Sequence, residues 1–128
     1  MKMKTLKYSR QRESIIEYLK DRTDHPTAEQ VYQNVRIEYP NISLGTVYRN
    51  LGLLSDMGRV LKISCGDMAE HFDPNTHEHY HFICTDCNSV HDLEMESIDF
   101  INTLASKSFS GEIQGHTTYF YGKCKDCK

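Results

Sequence analysis

The chain has 128 residues, of which 38% are hydrophobic and 26% charged, with a formal net charge of −3. That length holds one ordinary domain or two small ones around modest cores. No apolar run approaches membrane-spanning length, and the start MKMKTLKYSRQR lacks the apolar stretch of a secretion signal, so a soluble, cytoplasmic protein with no membrane partner is expected.

The charge is unevenly spread. Residues 1–64 hold eleven Lys and Arg against seven Asp and Glu, whereas residues 65–128 hold four against eleven. A basic half followed by an acidic half suggests two modules with different partners, although a solvated imbalance without function gives the same counts.

In chain order, QRESIIEYLK (11–20) places Ile15, Ile16 and Leu19 on one helical face. TAEQVYQNVRIEY (27–39) opens with the capping-box pair Thr27 and Gln30, carries Ala28, Val31 and Val35 at helical spacing, and is stopped by Pro40. SLGTVYRNLGLLSDM (43–57) begins with Ser43 as N-cap, buries Leu44, Val47, Leu51 and Leu54, and is terminated by Gly58. RVLKIS (59–64) and AEHFD (69–73) then read as two short strands around Cys65.

Three short helices followed by a hairpin is the layout of a winged helix-turn-helix. Its third helix is the reader, with Thr46, Tyr48, Arg49 and Asn50 on the expected exposed face, just after Ser43. Arginine suits guanine and asparagine suits adenine. Arg10, Arg12 and Arg59, with Lys4 and Lys7, are candidates to hold phosphates. A three-helix packing module with ordinary polar faces accounts for the same pattern; the basic charge of this half favours DNA.

The acidic half carries metal chemistry. Of five cysteines, Cys84 and Cys87 form one CxxC pair and Cys124 and Cys127 a second, while Cys65 stands apart. The odd count and tight pairs argue against a disulfide framework. Redox dithiols or a disulfide are the alternatives; four thiolates closing a structural zinc site explain both pairs at once. The spacing fits an inserted strand–helix–strand unit with the metal tying its ends.

HYHFI (79–83) reads as a strand, on which His79 and His81 point one way and Tyr80 the other. Four cysteines already complete a tetrahedron, so the imidazoles imply a second site. Asp73 and Asp92 are nearby carboxylates, although composition does not select them. Nitrogen and oxygen donors without sulfur suit Mn2+ or Fe2+. Any one of these residues alone is equally a solvated surface group.

HPTAEQVY (25–32), ISLGTVYRNLGLLSDMG (42–58), HYHFICTDC (79–87) and YGKCKDC (121–127) together resemble the ferric uptake regulator (Fur) family of bacterial metal-responsive repressors, from about Leu6 to Cys127. The resemblance implies an α+β fold: a winged helix-turn-helix DNA-binding domain over 1–74 and a small α/β dimerisation domain with structural zinc over 75–128. It implies a regulatory metal site of His25, Asp73, His79, His81 and Asp92, in which His25 is contributed by the basic half. It further implies a homodimer that grips double-stranded operator DNA when the regulatory Fe2+ or Mn2+ is bound.

Aspartate at both carboxylate positions resembles the peroxide-sensing (PerR) branch, where iron sensors more often carry glutamate. In that branch metal-catalysed oxidation of a ligand imidazole, by resemblance His25 or His79, releases DNA. The alternatives are an iron- or zinc-responsive uptake regulator of the same family and a small metalloenzyme; no nucleophile or general-base motif supports an enzyme. Three departures stand out. The segment before KYSRQRESII is short. A further family metal site would fall on Glu78, Tyr80, Asp99 and His116, where tyrosine is a poor ligand, so that site is expected to be absent or incomplete. His71, His77 and His91 flank the ligands as possible competitors.

Overall fold

The computed structural model describes residues 9–64, 68–77 and 79–128, so Lys4, Lys7, Cys65 and Glu78 lie outside the described residues. The chain divides into two compact units, Met1–Thr76 and His77–Lys128.

The first unit contains α1 (Arg10–Leu19), α2 (Ala28–Glu38) and α3 (Leu44–Asp56), then an antiparallel hairpin of β1 (Leu61–Ile63) and β2 (His71–Asp73). Each helix starts on a side-chain cap that satisfies an orphan amide. Ser9 Oγ accepts from Arg12 N at 3.2 Å, and Ser43 Oγ accepts from Thr46 N at 3.0 Å. At α2 the reciprocal pair forms: Thr27 Oγ1 accepts from Gln30 N, and Thr27 N donates to Gln30 Oε1 at 2.9 Å. The end of α3 is a Schellman turn, with Gly58 N donating to Ser55 O and Arg59 N to Leu54 O. That turn needs a left-handed residue, and Gly58 supplies it at φ +73°.

The three helical stripes and the hairpin meet in one core of Ile15, Leu19, Ala28, Val31, Val35, Ile42, Val47, Leu51, Leu54, Val60 and Phe72. Burying each larger side chain is worth about 1.5–3 kcal/mol, enough to hold this unit by apolar packing. Leu44, expected in the stripe, is half-buried at the start of α3, and Asn50 takes a buried place on that helix. The hairpin strands are three residues each, shorter than 59–64 and 69–73 suggested.

The second unit is a sheet in the order β4–β3–β5, from β3 (Tyr80–Cys84), β4 (Val90–Leu93) and β5 (Tyr119–Gly122). β4 pairs antiparallel with β3 across a tight turn. β5 pairs parallel with it, after a crossover that contains α4 (Phe100–Ser106). Tyr80, His81, Ile83, Cys84 and Val90 are buried, but α4 contributes no buried residue. Phe100, Leu104, Phe109, Phe120 and Tyr121 are exposed. Among the described residues no helix is long and apolar enough to cross a membrane.

Candidate metal centres and nucleic-acid surface

The parallel register sets Cys84 beside Gly122, so both CxxC turns leave the sheet at the same end. Thr85 fastens them, donating from N to Gly122 O at 2.8 Å and from Oγ1 to the same oxygen at 3.1 Å. The four sulfurs of Cys84, Cys87, Cys124 and Cys127 all lie within 4.8 Å of one another. Cys87 Sγ and Cys124 Sγ are 3.8 Å apart, far beyond the roughly 2 Å of a disulfide bond.

The amides of Cys87 and Cys124 both point at Cys84 Sγ, at 3.5 and 3.4 Å. These donors pull the Cys84 thiol down to about 6 from its ordinary 9.0, against the opposing effect of burial. Cys127 moves the other way: hydrogen bonding to Cys124, Cys84 and Cys87 stabilises its protonated form and raises its pKa well above the usual thiol range. One thiolate forms readily here and four need a cation among them. The donor set and its tight turns fit zinc.

The nitrogen and oxygen donors form two sets, one in each unit. In the second unit, His81 lies opposite Asp92 across the β3–β4 ladder. His79 Nε2 and His81 Nε2 sit 3.0 and 3.3 Å from the same oxygen, Asp92 Oδ1. The His79 Nδ1–H donates to His77 O at 2.6 Å; since a carbonyl only accepts, this fixes the tautomer and aims Nε2 at the carboxylate. Tyr80 points to the opposite face, where its hydroxyl accepts from Ile98 N at 2.7 Å. The strand alternation expected for 79–83 is therefore present.

In the first unit, His25 Nε2 lies 3.2 Å from Asp73 Oδ2, with both side chains 1% exposed. Asp73 Oδ1 accepts from Asn75 N at 2.9 Å in an Asx turn, which leaves Oδ2 toward the imidazole. Both sets fit a borderline-hard divalent ion, since each is an imidazole–carboxylate grouping oriented by main-chain partners.

The flanking histidines have other partners. The His71 Nδ1–H donates to His25 O at 2.6 Å, and His91 Nε2 is bonded to Ser89 Oγ at 2.8 Å. Of the residues matched to a further family site, His116 Nδ1 is 2.8 Å from Asn102 Oδ1, and Asp99 stands at the N-cap of α4 with no side-chain capping bond.

On α3, Tyr48 and Arg49 are exposed, while Thr46 Oγ1 shares a 2.9 Å bond with Ser43 Oγ. Asn50, expected among the DNA contacts, is 8% exposed, accepts from Arg12 Nε at 3.0 Å and donates to Thr46 O at 3.0 Å. It therefore ties α1 to α3. Arg10 is exposed, and Arg12 is half-buried.

A winged helix-turn-helix joined to a sheet unit with clustered metal donors defines a metal-responsive transcriptional regulator. The chain belongs to the ferric uptake regulator family, whose model matches residues 3–121. It is 39% identical over 118 residues to the peroxide-responsive repressor PerR of Staphylococcus epidermidis, covering 92% of this chain and 79% of that protein. Its structure is similar to that of the Campylobacter jejuni peroxide stress regulator, at 30% identity and a TM-score of 0.73, covering 91% of this chain and 88% of that one. It is also similar to the Vibrio cholerae ferric uptake regulator, at 30% identity and a TM-score of 0.74, covering 93% and 92%.

Proposed function

We propose that this protein is a homodimeric repressor that grips operator DNA when a regulatory Fe2+ or Mn2+ is bound and lets go after exposure to peroxide. The observation that carries this reading is the sulfur-free donor chemistry, with aspartate as the carboxylate of both sets: His25 with Asp73, and His79 and His81 with Asp92. One ion is assigned to all five residues, and zinc to Cys84, Cys87, Cys124 and Cys127. Two neutral imidazoles, a third from the first unit and two carboxylates balance a dication. Binding then favours the arrangement of the two units that suits DNA.

Fe2+ held by these residues would reduce peroxide beside its ligands, so that one peroxide oxygen would add to the imidazole of His25 or His79 and the other would leave as water. An oxidised imidazole is a poor ligand, so the metal-favoured arrangement is lost. On DNA, Tyr48 and Arg49 face the base edges, Arg10 and Arg12 the phosphates, and Ser43 and Thr46 sit at the leading end of α3. The exposed apolar side chains of α4 and the edge strand β5 face the second copy. The protein acts by binding and turns over no substrate.

The test compares DNA retention by Mn2+ and Fe2+ forms with and without peroxide, followed by mass mapping. The expected result is loss of DNA by the Fe2+ form only, with one added oxygen on a peptide containing His25 or His79. Release on metal withdrawal alone, with unmodified histidines after peroxide, makes the protein a sensor of metal level instead.

A further inference from the structure

His25 has a left-handed backbone, φ 51°, although it is neither glycine nor asparagine. It also precedes Pro26, a position that favours extended backbone. Such a conformation persists where its surroundings hold it. Here the holding groups come from β2. Thr27 and His71 form an isolated antiparallel bridge, and Phe72 N donates to Pro26 O at 2.9 Å. Those contacts are main-chain and do not depend on the side chain at position 71. The third is a side-chain contact: His71 Nδ1 lies 2.6 Å from His25 O. A carbonyl oxygen cannot donate, so the ring nitrogen carries the proton and gives it to the peptide that links His25 to Pro26.

His71 and Asp73 stand two apart on β2 and share a face. One strand face therefore presents both a carboxylate to the His25 imidazole and a clamp to the His25 main chain. Loss of the clamp removes a side-chain contact that fixes the orientation of that peptide.

We infer that His71 is a positioning residue of the regulatory metal site, acting through the hydrogen bond from its Nδ1–H to the His25 carbonyl. The inference rests on the proposed ligand role of His25. It turns a residue that sequence alone offers as a competing ligand into one that orients a ligand.

The experiment measures Mn2+ affinity, zinc content and melting temperature of the full-length, zinc-loaded protein for three variants. His71→Leu keeps bulk without a donor. His71→Asn places an amide N–H where Nδ1 stood. His25→Ala reports on the site itself. His71→Leu is expected to bind Mn2+ about 10–100-fold more weakly, as is usual when an outer partner of a metal ligand is removed, with zinc content unchanged. His71→Asn is expected to restore most of that affinity. Native-like Mn2+ binding by His71→Leu overturns the inference, as does equal weakness of the Leu and Asn variants, which would make the ring itself the determinant. A lowered melting temperature with unchanged Mn2+ affinity also overturns it, because it marks a structural role alone. Should His71→Leu not fold, failure of a folded His71→Asn to bind Mn2+ normally overturns the inference. His25→Ala binding Mn2+ normally removes the site assignment, which distinguishes that failure from loss of the clamp alone.

Discussion

The two units are held together by different physics. Among the described residues, Met1–Thr76 closes over a buried apolar cluster drawn from three capped helices, a hairpin and the segments that join them. In His77–Lys128 the buried residues cluster on β3, α4 buries none, and large apolar side chains remain exposed. A unit that small and that open needs a metal, a partner copy or both. On the proposed function, the first unit is a reader that holds itself together, and the second converts metal binding and association into stability.

The largest test of this contrast is Cys124→Ser. It is expected to release zinc and abolish the dimer and the near-ultraviolet signal of the second unit, while the helical signal of the first persists. A structural zinc contributes on the order of 10 kcal/mol, more than such a unit holds in reserve. Metal analysis with size-exclusion chromatography and circular dichroism decides it; a zinc-loaded dimeric variant removes the four-sulfur assignment.

Asp92→Ala sharpens the contrast within the second unit. His79 and His81 lose the oxygen on which both Nε2 atoms converge. Mn2+-dependent DNA binding is expected to fall below detection in a shift assay while zinc stays stoichiometric. Zinc lost in parallel would mean that the two donor sets are one structural system.

Acid separates the units next. The Cys84 thiol is lowered to about 6 from 9.0, so its thiolate contributes stability in full above the ordinary thiol value. That contribution is lost as pH falls through about 6. Zinc uptake by the metal-free protein is therefore expected to weaken as pH falls through that value, with the helical signal of the first unit unchanged. An uptake curve that is flat through this range assigns the shift no role.

Two smaller effects belong to the first unit. Arg49→Ala is expected to cost about 1–3 kcal/mol of operator binding and to relax preference at one base position, measured by binding across a panel of duplexes. Equal loss on all sequences would move Arg49 from base to phosphate. Gly58→Ala meets no neighbouring atom within 4 Å, so its cost is the positive φ alone. About 1 kcal/mol is expected in denaturant unfolding of the first unit, with metal binding untouched. No loss would mean that the Schellman turn relaxes without strain.

Much of this architecture is legible in the chain. Ser43, Thr27 with Gln30, and Gly58 mark helix ends by local chemistry, and the structure uses each of them. The parity of His79, Tyr80 and His81 predicts their faces because a strand enforces it. Asn50 was also readable: Val47, Asn50, Leu51 and Leu54 follow the spacing of a buried helical face, and its polar side chain obscured that. Its burial becomes favourable through Arg12, 38 positions away, which periodicity cannot supply. His71 is harder still. Its partner is a main-chain oxygen 46 positions away, and a carbonyl leaves no mark in the sequence. The hairpin strands were overestimated because β propensity does not report where pairing stops.

The parallel pairing of β3 with β5 has a consequence for the order of assembly. Parallel neighbours cannot be joined by a short turn, so Cys84 meets Cys124 across a separation of 40 positions. A cross-link spanning such a loop removes open conformations from the disordered chain, worth about 4 kcal/mol by the loop-entropy relation used for disulfides. The same separation makes this contact slow to find. A chain that has lost its cross-link must repeat the search for β5, whereas β3 and β4, joined by a tight turn, reform locally. Metal held at the cysteines would therefore set the pace at which the second unit is completed as well as its strength once complete.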